Sequence, residues 1–125
     1  MAKIKVGIMP SDQFRQYTRD IATGKHVPKR GEPKIWFASM KALSETLSDP
    51  NRELLALIAE QHPDSLSELA ELSGRAVSSV SRTLKRMEHI GLVQLKREKQ
   101  GRVVPKVPYS DIVLDMSIGG NAQSA

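Results

Sequence analysis

Cysteine is absent from the 125-residue sequence, and histidine occurs only three times. The absence of cysteine excludes a disulfide framework, a thiolate metal site and a thiol redox switch. The histidines, His26, His62 and His89, lie far apart, with no His-x-x-x-His pair and no carboxylate at metal-ligand spacing. We therefore expect neither a metal ion nor another cofactor.

Long apolar runs are also missing. No stretch approaches the roughly 20 apolar residues of a membrane-spanning helix. The first residues, MAKIKVGIMPSDQF, contain no apolar core of a secretory signal. These features predict a cytoplasmic protein that does not enter a membrane.

The motifs of several common enzyme classes are absent as well. The sequence has no Gly-x-Ser-x-Gly, no P-loop and no G-x-G-x-x-G. The serines around Val80 have no general base nearby in the sequence. We therefore expect a protein that is not an enzyme.

Charge is distributed unevenly along the chain, although the net charge is only +5. Residues 49–72 carry one Lys or Arg against six Asp or Glu, whereas residues 73–106 carry nine against two. A basic block beside an acidic one is typical of a surface that binds a polyanion. The alternative is that these cations only keep a small domain soluble.

Three amphipathic helices are predicted in this region, and the first two have clear ends. The first begins at Asp49-Pro50, an N-cap followed by proline, and ends at His62-Pro63. The second begins at Ser65, which has capping-box spacing to Glu68, and ends at Gly74. Their predicted buried faces consist of Leu54, Leu55, Leu57 and Ile58, and of Leu66, Leu69 and Leu72.

The third helix, predicted over 76–90, has two different faces at 100° per residue. Val77, Val80, Leu84 and Met87 form an apolar stripe that is predicted to face the core. The opposite side carries hydroxyl side chains near the start and cations further along, with no acidic residue between positions 78 and 86. Such a helix suits the major groove of DNA, because small side chains allow close approach and the helix dipole favours an anion.

A basic β-hairpin is predicted directly after this helix. Gly91 ends the helix, the segment LVQLK alternates like a strand, and positions 103–107 return as a second strand after a turn at Gln100-Gly101. Pro105 restricts the second strand to an edge. The tip, KREKQGR, carries four cations and one acid, so helix and hairpin together predict a concave positive surface.

Residues 49–109 resemble the winged helix-turn-helix of MarR-like transcriptional regulators. The resemblance lies in SLSELAELSG, in the helix VSSVSRTLKRMEHIGLV with its Val-Ser-Arg-x-Leu-x-x-Met spacing, and in the charged wing. The whole chain more closely resembles a family of small predicted winged-helix DNA-binding proteins of bacteria and archaea. The matching positions are Phe37, Ser39, Leu43 and Leu47, then Pro105, Val107 and Tyr109.

The resemblance implies an α+β fold in which a three-helix core and a β-hairpin wing are flanked by an N-terminal α/β extension and a C-terminal strand. It also implies DNA contacts from the third helix to the major groove and from the wing to the backbone or minor groove. Arg82 is the best candidate for a base contact, since bidentate Arg–guanine pairing is the commonest specific contact. The predicted DNA-binding residues are Arg75, Ser78, Ser79, Ser81, Arg82, Lys85 and Arg86, with Lys96, Arg97, Lys99 and Arg102 in the wing.

The two ends of the chain are predicted as separate segments. Residues 1–48 form an extension with a strand in IKVGIM, a helix that begins at Ser11-Asp12 and a small aromatic cluster. The extension also contains the basic stretch KHVPKRGEPK, which is either a linker or an arm that lies along DNA. Residues 49–116 form the winged-helix domain and end in DIVLDM, a strand by its alternation. Strands at both termini could pair within one chain or across a dimer. Residues 117–125 have the composition of a flexible tail.

These features predict a sequence-specific regulator of transcription, a repressor or autoregulator that binds double-stranded DNA as a homodimer. The alternative is an antitoxin-like interaction module. In that case the N-terminal region binds a partner protein from the same operon, and the helix-turn-helix autoregulates that operon. Both can hold in one chain. A third possibility is a winged helix that contacts only protein or RNA.

Overall fold

The computed structural model describes residues 2–118, which contain five α-helices and two small sheets. The predicted α+β class is confirmed, whereas most of the predicted tail at 117–125 lies outside the described residues. None of the helices in 2–118 is long and apolar enough to cross a membrane. The elements are β1 (Lys3–Ile8), α1 (Ser11–Ala22), β2 (Ile35–Phe37), α2 (Met40–Thr46), α3 (Asp49–Gln61), α4 (Leu66–Ser73), α5 (Val77–Ile90), β3 (Gln94–Arg97), a 3₁₀ turn (Lys99–Gly101), β4 (Val103–Lys106) and β5 (Asp111–Asp115).

The chain forms two compact units. The helical unit consists of Ser44–Ser110 with Ala2, and the sheet unit consists of Lys3–Leu43 with the described residues from Asp111 onward. The predicted winged-helix domain at 49–116 therefore lies in the helical unit except for its last strand. That strand, β5, pairs with β1 in the sheet unit, so the two terminal strands pair within one chain.

The sheet unit is built on three parallel strands in the order β2-β1-β5. Val6 in the central strand is aligned with Ile35 and Leu114 and is fully buried. Helix α1 connects β1 to β2, because parallel neighbours need a crossover connection. Helix α1 begins at Ser11, as predicted, but Ser11 and Asp12 do not cap it: Pro10 is the N-cap, and its carbonyl oxygen accepts the first helical hydrogen bond, from the backbone N–H of Phe14.

The basic stretch KHVPKRGEPK contacts the rest of the sheet unit through His26 and through Lys34, whose backbone N–H donates to the carbonyl of Lys5 in β1 at 2.9 Å. The Nε2 atom of His26 lies 2.9 Å from a carboxylate oxygen of Glu32, and the His26 ring centroid lies 5.2 Å from that of Tyr17. Tyr17 also contacts Trp36 edge-on at 5.6 Å and Phe14 at 6.2 Å. The predicted aromatic cluster is therefore present, and the basic stretch folds back onto it.

The helical unit has one apolar core. Helix α4 packs on α3 and on α5, and the hairpin formed by β3, the 3₁₀ turn and β4 packs on these helices. The side chains at its centre are almost completely removed from solvent: Leu54, Ile58, Leu69, Val80, Leu84, Met87 and Leu92.

Two predicted core positions are wrong, namely Leu72 and Val77, which are 45% and 47% exposed. The buried face of α4 lies between Leu69 and Ala70, and Leu72 is about 110° away from its centre on the helix. Val77 is the first residue of α5, and its side chain opens onto the groove described below.

The capping residues largely follow the predicted pattern. Ser65 accepts a hydrogen bond from the backbone N–H of Glu68 at 3.0 Å, and Gly74 ends α4 with φ 73°, a left-handed conformation that favours glycine. Helix α3 ends at His62, as predicted. Its N-cap, however, is Ser48 and not Asp49, because the Ser48 hydroxyl accepts from the backbone N–H of Asn51 at 3.4 Å.

Tyr109 follows the hairpin and packs into the helical unit. Its side chain is buried, and its hydroxyl donates a hydrogen bond to the backbone carbonyl of Leu92, the residue that follows the turn after α5. Burial raises the pKa of Tyr109 to about 12. The hydrogen bond from Tyr109 stabilises the connection between α5 and the hairpin only while the hydroxyl is protonated.

We expect Tyr109→Phe to remove part of the alkaline instability of the protein. Because the pKa of Tyr109 is raised in the folded state, its contribution is fully present below pH 10 and is lost as the pH rises from 10 to 12, at up to about 1.4 kcal/mol per pH unit. Urea unfolding at pH 8 should show a loss of about 1 kcal/mol for the variant, from the missing hydrogen bond. The difference between the two proteins should shrink above pH 10 and change sign before pH 12, and a constant difference would contradict the assignment.

Candidate nucleic-acid interface

Helix α5 presents the predicted polar face to solvent. Ser78, Arg82, Lys85, Arg86 and His89 are exposed, and Ser79 and Ser81 are half-buried at the flanks. The opposite side is buried at Val80, Leu84 and Met87. The helix begins after Ala76, which provides no side-chain cap, and ends at Gly91 in the left-handed conformation. The core thus fixes which side of α5 a ligand can reach.

The hairpin is held against α5 by an ion pair. Arg97 in β3 donates two hydrogen bonds to Glu88 near the end of α5, Nη1 to Oε2 at 2.9 Å and Nη2 to Oε1 at 3.1 Å. These bonds hold the pKa of Glu88 below its usual value, so its carboxylate stays charged. Both side chains are partly exposed, and the pair mainly restricts the orientation of the hairpin.

A second ion pair lies within the hairpin itself. Arg102 donates a hydrogen bond to Glu98 at 2.7 Å, and Lys96 lies 4.0 Å from the other carboxylate oxygen of Glu98. The hydrogen bond from Arg102 lowers the pKa of Glu98. Three of the four predicted wing cations, Lys96, Arg97 and Arg102, are therefore paired with acids, whereas Lys99 at the tip has no acid partner among residues 2–118.

A groove of about 680 Å³ lies between the start of α4, the first turns of α5 and the hairpin. It brings together four of the predicted DNA-binding residues, Ser81, Lys85, Arg97 and Arg102. Among the described residues that line it, none is acidic. The lining is completed by Ser65, Leu66, Ser67, Val77, Leu95, Gln100, Gly101 and Val103.

Eight of the lining residues were not among the predicted contacts, and three of these, Ser65, Ser67 and Val77, lie at the start of α4 or α5. Ser65 and Ser67 belong to the cap and first turn of α4, where the sequence indicated only a helix start. Val77 was predicted to be buried because it continues the apolar stripe of α5. The sequence feature that could have identified these three residues is their position, since they lie where α4 and α5 begin.

No three His, Asp or Glu side chains within residues 2–118 come together in a way that could hold a metal ion. The groove offers instead hydroxyl groups, cations and a small apolar surface. Hydroxyl and cationic donors of this kind bind phosphate oxygens and base edges.

The sequence model of the HVO_A0114 family matches residues 46–114, which is more than half of the chain. The protein belongs to the HVO_A0114 family. No curated protein matches the sequence significantly. A crystal structure of a predicted DNA-binding transcriptional regulator from E. coli is 29% identical and covers 57% of this chain and 75% of that chain, with a TM-score of 0.46.

The region that the HVO_A0114 family model covers includes a hydrogen-bond cluster around Arg75. Arg75 lies in the turn between α4 and α5, and its Nη2 donates to the hydroxyls of Ser79 at 3.0 Å and Thr83 at 3.1 Å. Its Nη1 donates to the side-chain oxygen of Asn51 in α3 at 3.3 Å. The Asn51 amide in turn donates to the carbonyl of Thr46 at 3.0 Å.

This cluster gives Arg75 and Ser79 a different place from the one that the sequence predicted. Both were predicted to contact DNA. The guanidinium of Arg75 instead donates three hydrogen bonds within the protein, and the Ser79 hydroxyl is one of the acceptors. Arg75 links the first turns of α3 to the first two turns of α5. In this family member it therefore positions the exposed face of α5.

We expect Arg75→Ala to lower the free energy of unfolding by about 1.5–3 kcal/mol, since hydrogen bonds from a charged donor are lost and their acceptors are left half-buried. Urea denaturation of the full chain measures this change. Arg82→Ala is the matched control: Arg82 is exposed and unpaired on the same helix, so its removal should change stability by less than about 0.5 kcal/mol. Equal effects of the two substitutions would contradict a positioning role for Arg75.

Proposed function

We propose that the protein is a sequence-specific DNA-binding transcriptional regulator that inserts α5 into the major groove of double-stranded DNA. The observation that carries the proposal is the row of exposed cations on α5, Arg82, Lys85 and Arg86, none of which forms a close ion pair within residues 2–118. Fourteen residues make a helix about 21 Å long and about 10–12 Å wide, which fits a groove about 12 Å wide. The resemblance to MarR-like winged helices supports the same placement.

The proposal gives the predicted residues different roles. Ser78 and Arg82 on the outward face would contact base edges, and Lys85 and Arg86 would bind phosphates. Lys99 at the hairpin tip would bind the backbone, and Lys96, Arg102 and Ser81 would line its approach. Arg75, Ser79 and Arg97 would support the interface from within, since their side chains are bonded to the protein.

We propose further that two copies bind together, one on each half of a palindromic site. A helix-turn-helix dimer places its recognition helices one DNA turn apart, about 34 Å. In this arrangement the protein would act in the cytoplasm as a repressor or as an autoregulator. The antitoxin-like alternative concerns the sheet unit and is compatible with DNA binding by the helical unit.

Selection of bound duplexes from a random pool tests the proposal. We expect a palindromic consensus with half-sites one turn apart, because a twofold dimer reads the same bases twice. Sedimentation of the selected complex should give two chains for each duplex. A pool that shows no enrichment after repeated rounds would overturn the proposed function.

Arg82→Ala is the variant for the same selection experiment. We expect it to weaken binding to the selected duplex by about 10- to 100-fold, while binding to random duplexes changes much less, since a bidentate base contact contributes about 1–3 kcal/mol of discrimination. Equal losses on both duplexes would remove Arg82 as a base reader without affecting the proposal that α5 binds DNA.

The salt dependence of binding should distinguish the free cation of the hairpin from the paired one. Lys99→Ala should make the log–log slope of affinity against salt shallower by about 0.9 for each bound chain, because one phosphate contact is lost. Arg97→Gln should leave the slope nearly unchanged, because Arg97 is paired with Glu88 and not with a phosphate. Filter binding from 50 to 300 mM salt measures both, and a slope change for Arg97→Gln as large as that for Lys99→Ala would refute this division.

A further inference from the structure

Val77 is the exposed apolar residue at the start of the proposed recognition helix. Its side chain is 47% exposed, whereas Val80 and Leu84 further along the same apolar stripe are fully buried. Val77 is the first residue of α5, the end of a recognition helix that reaches base edges in helix-turn-helix proteins. With α5 in the major groove as proposed above, this exposure would place a branched apolar group beside the base edges.

The surroundings of Val77 combine apolar contact with positive charge. Val77 lines the groove together with Leu66 and Val103, and the same groove is lined by Lys85 and Arg102. No acidic side chain is among the described residues that line it. An anionic ligand with an apolar group on its edge would complement both features of the groove.

The edge of a base pair in the major groove has these properties at thymine. The C5-methyl group of thymine is the apolar feature of that groove, and side chains that recognise it do so by apolar contact. The phosphates on either side provide the negative charge that Lys85 complements. We propose that Val77 is a specificity-determining residue that contacts the C5-methyl group of a thymine in each half-site, an inference that rests on the proposed function.

The proposal is tested on the duplex selected from the random pool. Each thymine of a half-site is replaced in turn by deoxyuridine, which lacks the methyl group and keeps the same hydrogen-bonding groups. For the wild-type protein we expect one replacement to weaken binding about fourfold, the loss that corresponds to one buried methyl group. For Val77→Ala the same replacement should have almost no effect, because the partner of the methyl group is already missing.

Leu72→Ala is the matched control variant. Leu72 is an apolar helix residue with nearly the same exposure, 45%, and it does not line the groove. Leu72→Ala should retain the fourfold response to deoxyuridine. Thermal unfolding of both variants should resemble that of the wild type, which separates an effect on recognition from an effect on folding.

Three results would overturn the proposal. If no thymine in the selected half-site responds to replacement, or if Val77→Ala responds as the wild type does, Val77 does not read the methyl group, while DNA binding itself stands. If Val77→Ala weakens all duplexes equally, random ones included, its role is not specificity. If no duplex is enriched from the pool, the proposed function fails and this inference fails with it.

Discussion

The burial of one side of α5 is the constraint on which the rest of the helical unit depends. Val80, Leu84 and Met87 are completely enclosed, so α5 cannot rotate without exposing them. At 100° per residue this fixes Ser78, Arg82 and Lys85 on the outside. The same core holds Leu92 and Val93 directly after Gly91, and these two residues start the hairpin beside the helix.

The arginines show that positive charge alone does not define a binding surface. Arg75 and Arg97 carry the same group as Arg82, but each satisfies its donors on the protein, Arg75 on Asn51 and two hydroxyls, and Arg97 on Glu88. A guanidinium held by a fork of hydrogen bonds fixes geometry, whereas an unpaired one remains available to a phosphate or a base. The cationic surface is therefore narrower than the charge of residues 73–106 indicates.

Much of the helical unit could be predicted because its signals are local. The helix ends at His62 and Gly74 depend on short-range capping and backbone preferences, and the burial of Leu69 and Leu84 follows from helical periodicity. The wrong predictions concern positions where contacts with neighbouring residues determine the structure. Ser48 and Asp49 can both cap a helix, and only the backbone shows which one does. Helix α2 was not predicted, since its seven residues carry a weak apolar pattern.

Other features depend on contacts between distant parts of the chain, and no local sequence pattern indicates them. The alternation of DIVLDM indicates a strand, but it cannot indicate that β5 joins β1 from the other end of the chain. The partners of Arg75 lie 24 residues away at Asn51 and 8 residues away at Thr83, and no spacing rule connects them. The candidate DNA surface was therefore predictable as a helix face, whereas its supporting residues required the fold.

The groove combines two kinds of interaction that respond differently to solution conditions. Phosphate contacts of Lys85 in the groove, and of Lys99 at the hairpin tip, would weaken as salt displaces them, and they would carry no information about sequence. The proposed apolar contact at Val77 would not depend on released counterions, and it would discriminate between bases only by shape. Because the two kinds of side chain stand on separate turns of α5 and the hairpin, affinity and selectivity can change independently. A surface built only of cations would bind nucleic acid without selecting a sequence. The apolar and hydroxyl groups at the start of α5 therefore favour the proposed regulator over a general polyanion binder.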